Sequence, residues 1–292
     1  MTGQPQLGLF AQTACLWEAT ARKVGNVHRF RDFADMTYLD FALSSAAIGE
    51  SMTYACCTPL GTTILAAIEA RTRVASTNTN LGIALLLAPL ASVPVGEDLR
   101  AGVRRVLAET TVADSEAAFE AIRRAKPGGL GKAAEQDVAE VPTLSLKSIM
   151  ALAADRDSIA RQHATDFAEL FDFGVPTFLD AFARFGRIEA AIIDCQLRWL
   201  AHAPDSLICR KCGPAVAEQV RGMASRVLAS GGLATHAGRA AGVAFDAHLR
   251  SDGSRLNPGT TADLVAATLF IALRENKVSP LTPFHWEVPD WL

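Results

Sequence analysis

The chain has 292 residues, half of them hydrophobic, so it can bury a sizeable core as one large domain or two small ones. Its formal net charge of −3 and sequence pI of about 6.1 provide no basic surface for a nucleic acid partner. The first residues lack the basic start and apolar core of a signal peptide. The apolar run 81–95 is too short and proline-interrupted to span a bilayer, so the sequence predicts a cytoplasmic protein without a membrane partner.

Long segments rich in Ala, Leu and Arg, with only two tyrosines and few alternating β-branched runs, predict an all-α fold. No repeat or linker divides the chain, so a single domain covering residues 1–292 is expected. The predicted helices cover residues 11–21, 36–44, 60–76, 83–90, 97–107, 114–124, 144–154, 158–171, 175–185, 188–202, 215–229 and 235–250, and a last helix runs from about Thr260 to residue 273. Residues 280–292, with Trp286 and Trp291, form an aromatic, non-helical tail that we expect to dock on the body or on the second subunit of a homodimer.

Between the first two helices, residues 26–33 are polar, aromatic and without helical periodicity, which is typical of a loop that carries chemistry. In the next helix, Asp40 lies on the same face as the apolar residues Met36 and Leu43. A buried carboxylate costs several kcal/mol unless it is paired or metal-bound. Asp40 is therefore predicted to lie either at the edge of this face or in a site.

Four polar residues, 77–80, precede Gly82 at the start of a helix that is apolar on every side. Such a helix lies at the centre of a core. Polar groups at its start need partners, so this segment is either a capping cluster or the floor of a pocket.

Residues 126–132 form a glycine-rich loop flanked by lysines, a candidate phosphate cradle or lid. It is not a P-loop, because no Ser or Thr follows Lys132 and no strand precedes the glycines. Further along, Asp205, Arg210 and Lys211 fall in one turn, where the two cations could either clamp a phosphate or form a solvated salt-bridge cluster.

Six cysteines in a chain this long do not indicate a disulfide framework, and reduced thiols are expected. Cys209 and Cys212 have the C-x-x-C spacing of a zinc or redox site. No second such pair and no suitably spaced histidine pair completes a tetrahedral site, so zinc is not favoured here.

Residues 257–264 read NPGTTADL and run directly into the apolar segment 265–273. Pro258 and Gly259 predict a turn, and Thr260 or Thr261 is predicted to cap the helix. Free N–H groups at such a start favour an anion, while Asp263, predicted in the first turn, could hold a cation that bridges to it. The alternative is an ordinary capped helix with an acidic first turn.

Taken in order, these motifs resemble the triphosphoribosyl-dephospho-CoA synthase family over most of the chain. The residues that carry the resemblance are Lys23 to Arg29 followed by Asp35, Met36, Asp40, Phe41 and Ser44; Asn78, Thr79, Asn80 and Gly82; Gly129 and Gly131; Asp205; and Asn257 to Leu264. The last is similar to the family's (N/S)PGGSADLL helix start, and the first to its PKPGLVDR segment followed by a DM dipeptide.

The resemblance implies an all-α enzyme that makes the prosthetic-group precursor of citrate lyase and malonate decarboxylase from ATP and 3′-dephospho-CoA. In that family an acceptor hydroxyl attacks the ribose C1′ of ATP, adenine leaves, and the triphosphate serves as a handle. This chemistry needs a general base, carboxylates that tolerate positive charge on the ribose, a proton donor for adenine, and Mg²⁺ with cations on the triphosphate.

The resemblance also implies roles for individual residues. Asp35, Asp40 and His28 would be catalytic, and Asp40, Asp205 and Asp263 would hold the metal. Substrate and nucleotide binding would fall to Lys23, Asn26, Arg29, Asn78, Thr79, Asn80, Gly82, Gly129, Gly131, Lys132, Arg210, Lys211, Asn257, Gly259, Thr260 and Thr261.

Several positions depart from the family pattern. Val24 replaces a proline, His28 replaces an aspartate, and Asn80 with Leu81 replaces a His-Lys pair. The family's GARGEA reads Gly129-Leu130-Gly131-Lys132-Ala133, and near its RGG this chain has Arg210-Lys211-Cys212-Gly213. These changes indicate a divergent branch.

Three hypotheses follow. The first is Mg²⁺-dependent triphosphoribosyl transfer from ATP to dephospho-CoA. The second is a related transfer to another acceptor in the biosynthesis of a different cofactor, such as a methanopterin-like one-carbon carrier. The third is a non-catalytic helical binding protein that uses the aromatic tail as an interface.

Overall fold

The computed structural model describes residues 3–129, 131, 133 and 135–285. Within these residues the chain is helical and forms no strand, only two isolated bridges that close the loop between the first two helices. The all-α prediction is thereby confirmed. In chain order the helices are α1 (Pro5–Thr20), α2 (Tyr38–Ala47), α3 (Gly49–Thr53), α4 (Leu60–Thr72), α5 (Leu81–Ser92), α6 (Leu99–Ala108), α7 (Val112–Ala125), α8 (Leu146–Ala153), α9 (Ser158–Ala164), α10 (Val175–Phe185), α11 (Ile188–His202), α12 (Ser206–Cys212), α13 (Pro214–Ala229), α14 (His236–Leu249) and α15 (Gly259–Arg274).

Helices α5 and α15 lie at the centre of the larger core. Every residue of α5 from Leu81 to Ala91 is buried, and α15 packs against α1, α5, α10 and α11. The sequence predicts this place for α5, because a helix that is apolar all round gains most when no face meets water. Polar residues directly precede α5 and lie in the first turn of α15, so the starts of both helices bring polar groups to the core's edge.

A second, smaller hydrophobic cluster is built by α11, α13 and α14. Helix α11 joins the two cores, because Ile188 and Ile192 belong to the larger cluster while Leu197 and Leu200 belong to the smaller one. The predicted antiparallel neighbours α10 and α11 pack against each other. The left-handed Gly186 (φ 67°) ends α10 and allows this reversal.

The predicted helix 158–171 is wrong in its second half. Helix α9 ends at Ala164, and Asp166 and Phe167 adopt left-handed backbone angles (φ 53° and 62°). Fully buried Phe167 draws the chain inward at this point, and a π-helical turn, Leu170–Gly174, leads into α10. Tertiary burial has overridden helix propensity here.

Other boundaries shift less. Helix α1 begins at Pro5 instead of residue 11, and the segment predicted as a turn around Arg210 is the short helix α12. Residues 280–285 contain no helix, and the ring of Phe284 lies 5.7 Å from the guanidinium of Arg29. Trp286 and Trp291 lie outside the described residues, and the single-domain and homodimer expectations stay predictions. No helix in the described part of the chain is long and apolar enough to cross a membrane.

Candidate active site

One pocket of about 730 Å³ lies where the starts of α5 and α15 meet α1, α7, α8, α9 and α12. This volume is typical of a cofactor or nucleotide site. Its apolar wall comes from α7 and α8, through Phe119, Ile122, Ile149 and Met150. Its polar wall comes from the segment 71–82, the residues 257–263 and the helix α12.

The start of α15 forms one side of the pocket, but it is capped differently from the prediction. The N-cap is Pro258, which provides no side-chain hydrogen bond, so Thr260 and Thr261 lie inside the first turn. Three of the first four N–H groups are already satisfied: Gly259 N–H donates to Asn257 O (2.9 Å), Thr261 N–H to Asp205 Oδ2 (2.7 Å), and Ala262 N–H to Pro258 O (3.1 Å). The predicted anion site at free N–H groups is therefore wrong, although Asn257, Gly259 and Thr260 do line the pocket.

Asp205 uses both carboxylate oxygens for structure. Its Oδ1 accepts from the N–H groups of Leu207 and Ile208 (2.9 and 3.0 Å) and thereby caps α12. Its Oδ2 accepts from Thr261 N–H and from Thr261 Oγ1 (2.7 and 2.8 Å). Burial raises the pKa of Asp205, and these hydrogen bonds oppose the rise. Asp205 and Thr261 are absent from the pocket lining, so they join α12 to α15 and do not offer a free metal ligand or substrate contact.

Asp263 lies on the pocket wall in the second turn of α15, not in the first turn as predicted. The structure gives its carboxylate no hydrogen-bond or ion-pair partner among the described residues. Burial raises the pKa of Asp263 well above its usual value, the carboxylates of Glu18, Asp205 and Asp157 raise it further, and Arg210 opposes them. This carboxylate is held next to ligand space without a counter-charge of its own.

Gly82 makes room for that carboxylate. A Cβ at position 82 would overlap Asp263 Oδ2 and would lie 2.6 Å from Ile159 Cδ1. Only glycine therefore allows α5 to begin against α15. The sequence prediction that Gly82 belongs to the site is consistent with this close approach.

Glu18 is a pocket residue that sequence reasoning missed. It is 3% exposed, lines the pocket from α1, and forms an ion pair with fully buried Lys23 (2.9 Å). Burial raises the pKa of Glu18, and Lys23 opposes the rise. Lys23, predicted as a phosphate contact, is absent from the pocket lining because its ammonium group is used by Glu18.

Asn26 and Asn257 meet at the pocket wall. Asn26 Nδ2 donates to Asn257 Oδ1 (2.6 Å), and Gln196 Nε2 donates to Asn26 Oδ1 (2.7 Å). This network fixes both amides before any ligand arrives. Both residues line the pocket, as the sequence predicts.

The segment 77–80 is both a capping cluster and a pocket wall. Asn78 Oδ1 accepts from Leu81 N–H (3.2 Å), and Thr79 Oγ1 lies 2.6 Å from Ser44 Oγ. Asn80 Nδ2 donates to Ser44 O (3.4 Å), whereas its buried Oδ1 has no partner in the described structure. Thus both interpretations of this segment hold at once.

Cations gather around the glycine loop and α12. Arg210 lines the pocket and forms an ion pair with Asp157, while Lys211 Nζ donates to Ser254 O (3.3 Å). Gly129 (φ 72°) and Gly131 (φ 69°) adopt left-handed angles, and a Cβ at Gly129 would touch Arg210. The loop therefore passes directly over α12. Gly131 lines the pocket and Gly129 does not, while Lys132 lies outside the described residues.

Two further cations lie at this edge: Lys126, which flanks the predicted phosphate cradle, and Arg156, to which the sequence pattern gives no role. Lys126 and Arg156 line the pocket and are exposed, and neither has an ion-pair partner within the described part of the chain. We refer to Lys126, Arg156 and Lys211 as the rim cations. Lys126 ends α7 in a left-handed conformation, which turns the chain into the glycine loop.

His28 and Arg29 lie outside the pocket lining. The carboxylate of Glu189 holds Arg29 at 2.6 Å and Arg22 at the same distance. Burial lowers the pKa of His28 to about 2, and the nearby charges of Arg250, Lys23, Arg29 and Arg22 add to this effect. His28 is therefore neutral at physiological pH, and its catalytic role stays a prediction.

Asp35 and Asp40 lie in different environments. Asp35 is exposed, lines the pocket and accepts from Ser254 Oγ (3.0 Å). Asp40 is absent from the pocket lining, because its Oδ2 accepts from Thr37 N–H and Thr37 Oγ1 (both 2.8 Å) in the capping box of α2. The geometry thus keeps Asp35 near ligand space and gives Asp40 a structural contact.

The predicted metal ligands Asp40, Asp205 and Asp263 do not form one centre. Across the described ranges no group of three or more His, Cys, Asp or Glu side chains is arranged to hold a metal ion. Mg²⁺ commonly uses one or two carboxylates together with substrate phosphates. The unpartnered carboxylate of Asp263 fits that mode, whereas a site made entirely of protein ligands does not.

An all-α fold with acids inside a nucleotide-sized pocket and cations at its edge indicates a binding site for a phosphorylated ligand. The model of the ATP:dephospho-CoA triphosphoribosyl transferase family matches residues 4–280, so the chain belongs to this family of transferases. A crystal structure assigned as triphosphoribosyl-dephospho-CoA synthase, from Archaeoglobus fulgidus, is similar in fold. It has a TM-score of 0.63 and 25% sequence identity, and the match covers 80% of this chain and 97% of that one. Comparison with curated protein sequences gave no match.

Proposed function

We propose that this protein transfers the triphosphoribosyl group of ATP to a hydroxyl of 3′-dephospho-CoA and releases adenine. The observation that carries the proposal is the charge arrangement of the pocket. The unpartnered Asp263 lies on its inner wall and the rim cations lie at its edge. Such an arrangement suits a substrate whose sugar becomes positively charged while its phosphates remain strongly negative.

The rim cations and Arg210 are suited to hold the triphosphate. In the described part of the chain, the pair between Arg210 and Asp157 is the ion pair that these four cations form. The left-handed glycines let the loop approach phosphate oxygens closely. Held in this way, the triphosphate anchors the ribose without taking part in the reaction.

In the transfer step, the acceptor oxygen forms a bond to C1′ as the bond from C1′ to N9 of adenine breaks. The acceptor hydroxyl loses its proton and the departing adenine gains one, so the proton count balances. We assign to Asp263 the stabilisation of positive charge on the ribose, because no cation among the described residues forms an ion pair with it. Glu18, on the same wall, adds negative potential there. Asp35 is the pocket carboxylate that can accept the hydroxyl proton, because it is exposed and its only described contact is Ser254.

When Mg²⁺ is bound, Asp263 and phosphate oxygens of ATP would hold it, and it would neutralise part of the triphosphate charge. The family implies this ion. The support in the molecule is that Asp263 is the carboxylate on the inner wall with both oxygens unused by described protein groups.

The deciding experiment is incubation of the protein with ATP, Mg²⁺ and dephospho-CoA, followed by chromatographic measurement of adenine. We expect adenine and a triphosphoribosylated product to appear in equal amounts, and we expect Asp263→Asn to suppress both. ATP binding without adenine release would favour the second hypothesis, a different hydroxyl acceptor. The altered residues Asn80 and Leu81 and the altered glycine loop support that alternative. If neither nucleotide raises the melting temperature, the protein is a non-catalytic binding module.

A further inference from the structure

Arg71 is a buried cation that has no counter-ion among the described residues. It lies in the last turn of α4, is 2% exposed and lines the pocket. Its Nη1 donates to Thr77 O (2.9 Å), whereas Nε and Nη2 have no hydrogen-bond partner among the described residues. Burial lowers the pKa of Arg71, and no neighbouring carboxylate opposes that effect.

An arrangement of this kind is costly in the free protein. An unpaired buried charge destabilises a fold, and arginines in protein interiors normally have a carboxylate partner. The other buried arginines beside the pocket follow that rule: Arg22 and Arg29 share Glu189. Arg71 departs from it, and the unused atoms Nε and Nη2 form the edge of the guanidinium that binds two oxygens of one phosphate or carboxylate.

Two other residues of the pocket lining also have unused polar atoms, and one of them, Thr77, already accepts a hydrogen bond from Arg71 through its carbonyl oxygen. Thr77 Oγ1 and Asn80 Oδ1 are buried, and neither has a hydrogen-bond partner in the described structure. Both residues line the same pocket. A paired donor edge, a hydroxyl and an amide oxygen together match an oxyanion that carries a hydroxyl group nearby, as in a sugar phosphate.

These atoms lie beside a segment without regular helix. Residues 73–80 form turns and bends instead of regular helix, so shifting them breaks few backbone hydrogen bonds. The rim cations belong to different segments, namely the end of α7, the link between α8 and α9, and the helix α12. The pocket thus has two positively charged regions built by separate parts of the chain.

We infer that Arg71, Thr77 and Asn80 form a second oxyanion subsite, which binds a phosphoryl group of one substrate while the rim cations bind the polyphosphate of the other. This inference rests on the proposed function, because a transfer between two phosphorylated substrates requires two such regions in one pocket. The shared chemistry is a phosphoryl oxyanion, contributed either by ATP or by dephospho-CoA.

The test uses Arg71→Met, which removes the charge at similar length, and Arg71→Lys, which keeps the charge but loses the two-donor edge. Arg73→Met is the matched control, because Arg73 is exposed, lies two residues away and is absent from the pocket lining. Calorimetric titrations with ATP, dephospho-CoA and inorganic pyrophosphate, together with thermal melts, are measured for all four proteins.

We expect Arg71→Met to weaken binding of one nucleotide 10- to 100-fold, on the order of one to two charge-assisted hydrogen bonds, and to leave the other within about twofold. Which nucleotide is affected identifies the source of the phosphoryl group. Arg71→Lys should give an intermediate loss and Arg73→Met none. The free Arg71→Met protein should melt at the same or a higher temperature than the wild type, since an uncompensated charge has been removed.

Two outcomes overturn the inference. One is unchanged affinity of Arg71→Met for all three probes. The other is a pattern in which Arg71→Met melts at a lower temperature than the wild type, whereas Arg71→Lys melts like the wild type and binds all three probes with unchanged affinity. This pattern would identify a purely structural arginine. If the wild type binds pyrophosphate through Arg71 but binds neither nucleotide, the subsite stands and the proposed function fails.

Discussion

Replacement of Asp263 by asparagine separates the two consequences of a half-buried carboxylate that has no partner among the described residues. The side chain keeps its shape, so the cradle at Gly82 is preserved, and only the charge is removed. In the free protein that charge is desolvated and is repelled by Glu18, Asp205 and Asp157. Asp263→Asn should therefore stabilise the fold while it weakens the binding of a magnesium-bound nucleotide.

The size of the effect follows from the missing contacts. An unsatisfied buried polar group costs about 1–3 kcal/mol, and a charged group costs more. A gain of about 1–3 kcal/mol corresponds to a rise in Tm of roughly 2–5 °C for a chain of 292 residues. The loss of one carboxylate ligand should weaken Mg²⁺-dependent ATP binding by about 10- to 100-fold, a range that corresponds to about 1.4–2.7 kcal/mol.

The raised pKa of Asp263 also predicts how the stability difference between the variant and the wild type changes with pH. The folded-state pKa of Asp263 is raised above its ordinary value of 3.8. Between these two pKa values the folded state binds more protons than the unfolded state, so the free energy of unfolding of the wild type falls as pH rises through the folded-state pKa. The variant lacks this dependence. Its advantage over the wild type should be small near pH 4 and should grow toward pH 8.

Thermal and chemical unfolding of metal-free protein from pH 4 to pH 8 measures the stability difference, and calorimetry with ATP and Mg²⁺ measures the binding. Asp155→Asn is the matched control, because Asp155 is exposed and is absent from the pocket lining. A variant that is less stable than the wild type at every pH, or that binds Mg²⁺-ATP as tightly, would refute the reasoning.

Three further predictions concern Gly82, the rim cations and His28. Gly82→Ala should destabilise the protein by about 1–3 kcal/mol and weaken ATP binding, because the added Cβ overlaps Asp263 and Ile159. Gly222→Ala in α13, where the added Cβ would meet only Arg226 Nη1 at 3.7 Å, should be neutral or stabilising in the same denaturant titration. Lys126→Asn combined with Arg156→Gln should weaken ATP binding about tenfold at low salt and much less at high salt, because salt already screens the attraction of exposed charges. Asparagine is chosen at position 126 because it tolerates the left-handed φ of 49°. Equal losses of affinity at both salt concentrations would contradict the electrostatic role. For His28, the folded-state pKa of about 2 lies below the ordinary value of 6.5, so the free energy of unfolding rises with pH between these values. His28→Gln should reduce this pH dependence of stability in thermal melts from pH 4 to pH 7. An unchanged pH dependence would count against a buried neutral imidazole.

Local sequence was sufficient for most helices. Val175–Phe185 and Ile188–His202 match their predicted bounds, because Gly186 ends one helix and an apolar pattern continues through the next. The helix 158–171 failed, because burial of Phe167 depends on distant helices that no local pattern records. The cap at Thr260 or Thr261 failed for a similar reason: Asp205, from another helix, takes the Thr261 N–H and hydroxyl.

Sequence reasoning selected positions where polar residues interrupt apolar helices, and four of these, Asn78, Asn80, Gly82 and Asp263, lie in the pocket lining. It missed Glu18 and Arg71, which occupy ordinary helical positions and become unusual only through what surrounds them. The ion pair of Glu18 with Lys23, five residues later in the sequence, is the one signal that was available locally. The sequence predicts Lys126 only as a flank of the glycine loop and gives Arg156 no role, because the packing that brings both to one edge of the pocket joins segments far apart in the sequence.

The four hydrogen bonds accepted by Asp205 determine which part of the pocket can differ between related proteins. They lock α12 to α15, so the distance between Arg210 and Asp263 is set before any substrate arrives. Among the described residues of the glycine loop, Gly128 and Gly129 lie against α12 without hydrogen bonds to it, and Cβ atoms added there would just touch Lys211 and Arg210. The wall formed by α12 and α15 is thus fixed by these hydrogen bonds, whereas the glycine loop can be exchanged without breaking them. Grafting residues 126–137 from a relative should therefore change the acceptor that is accommodated and leave the nucleotide wall in place.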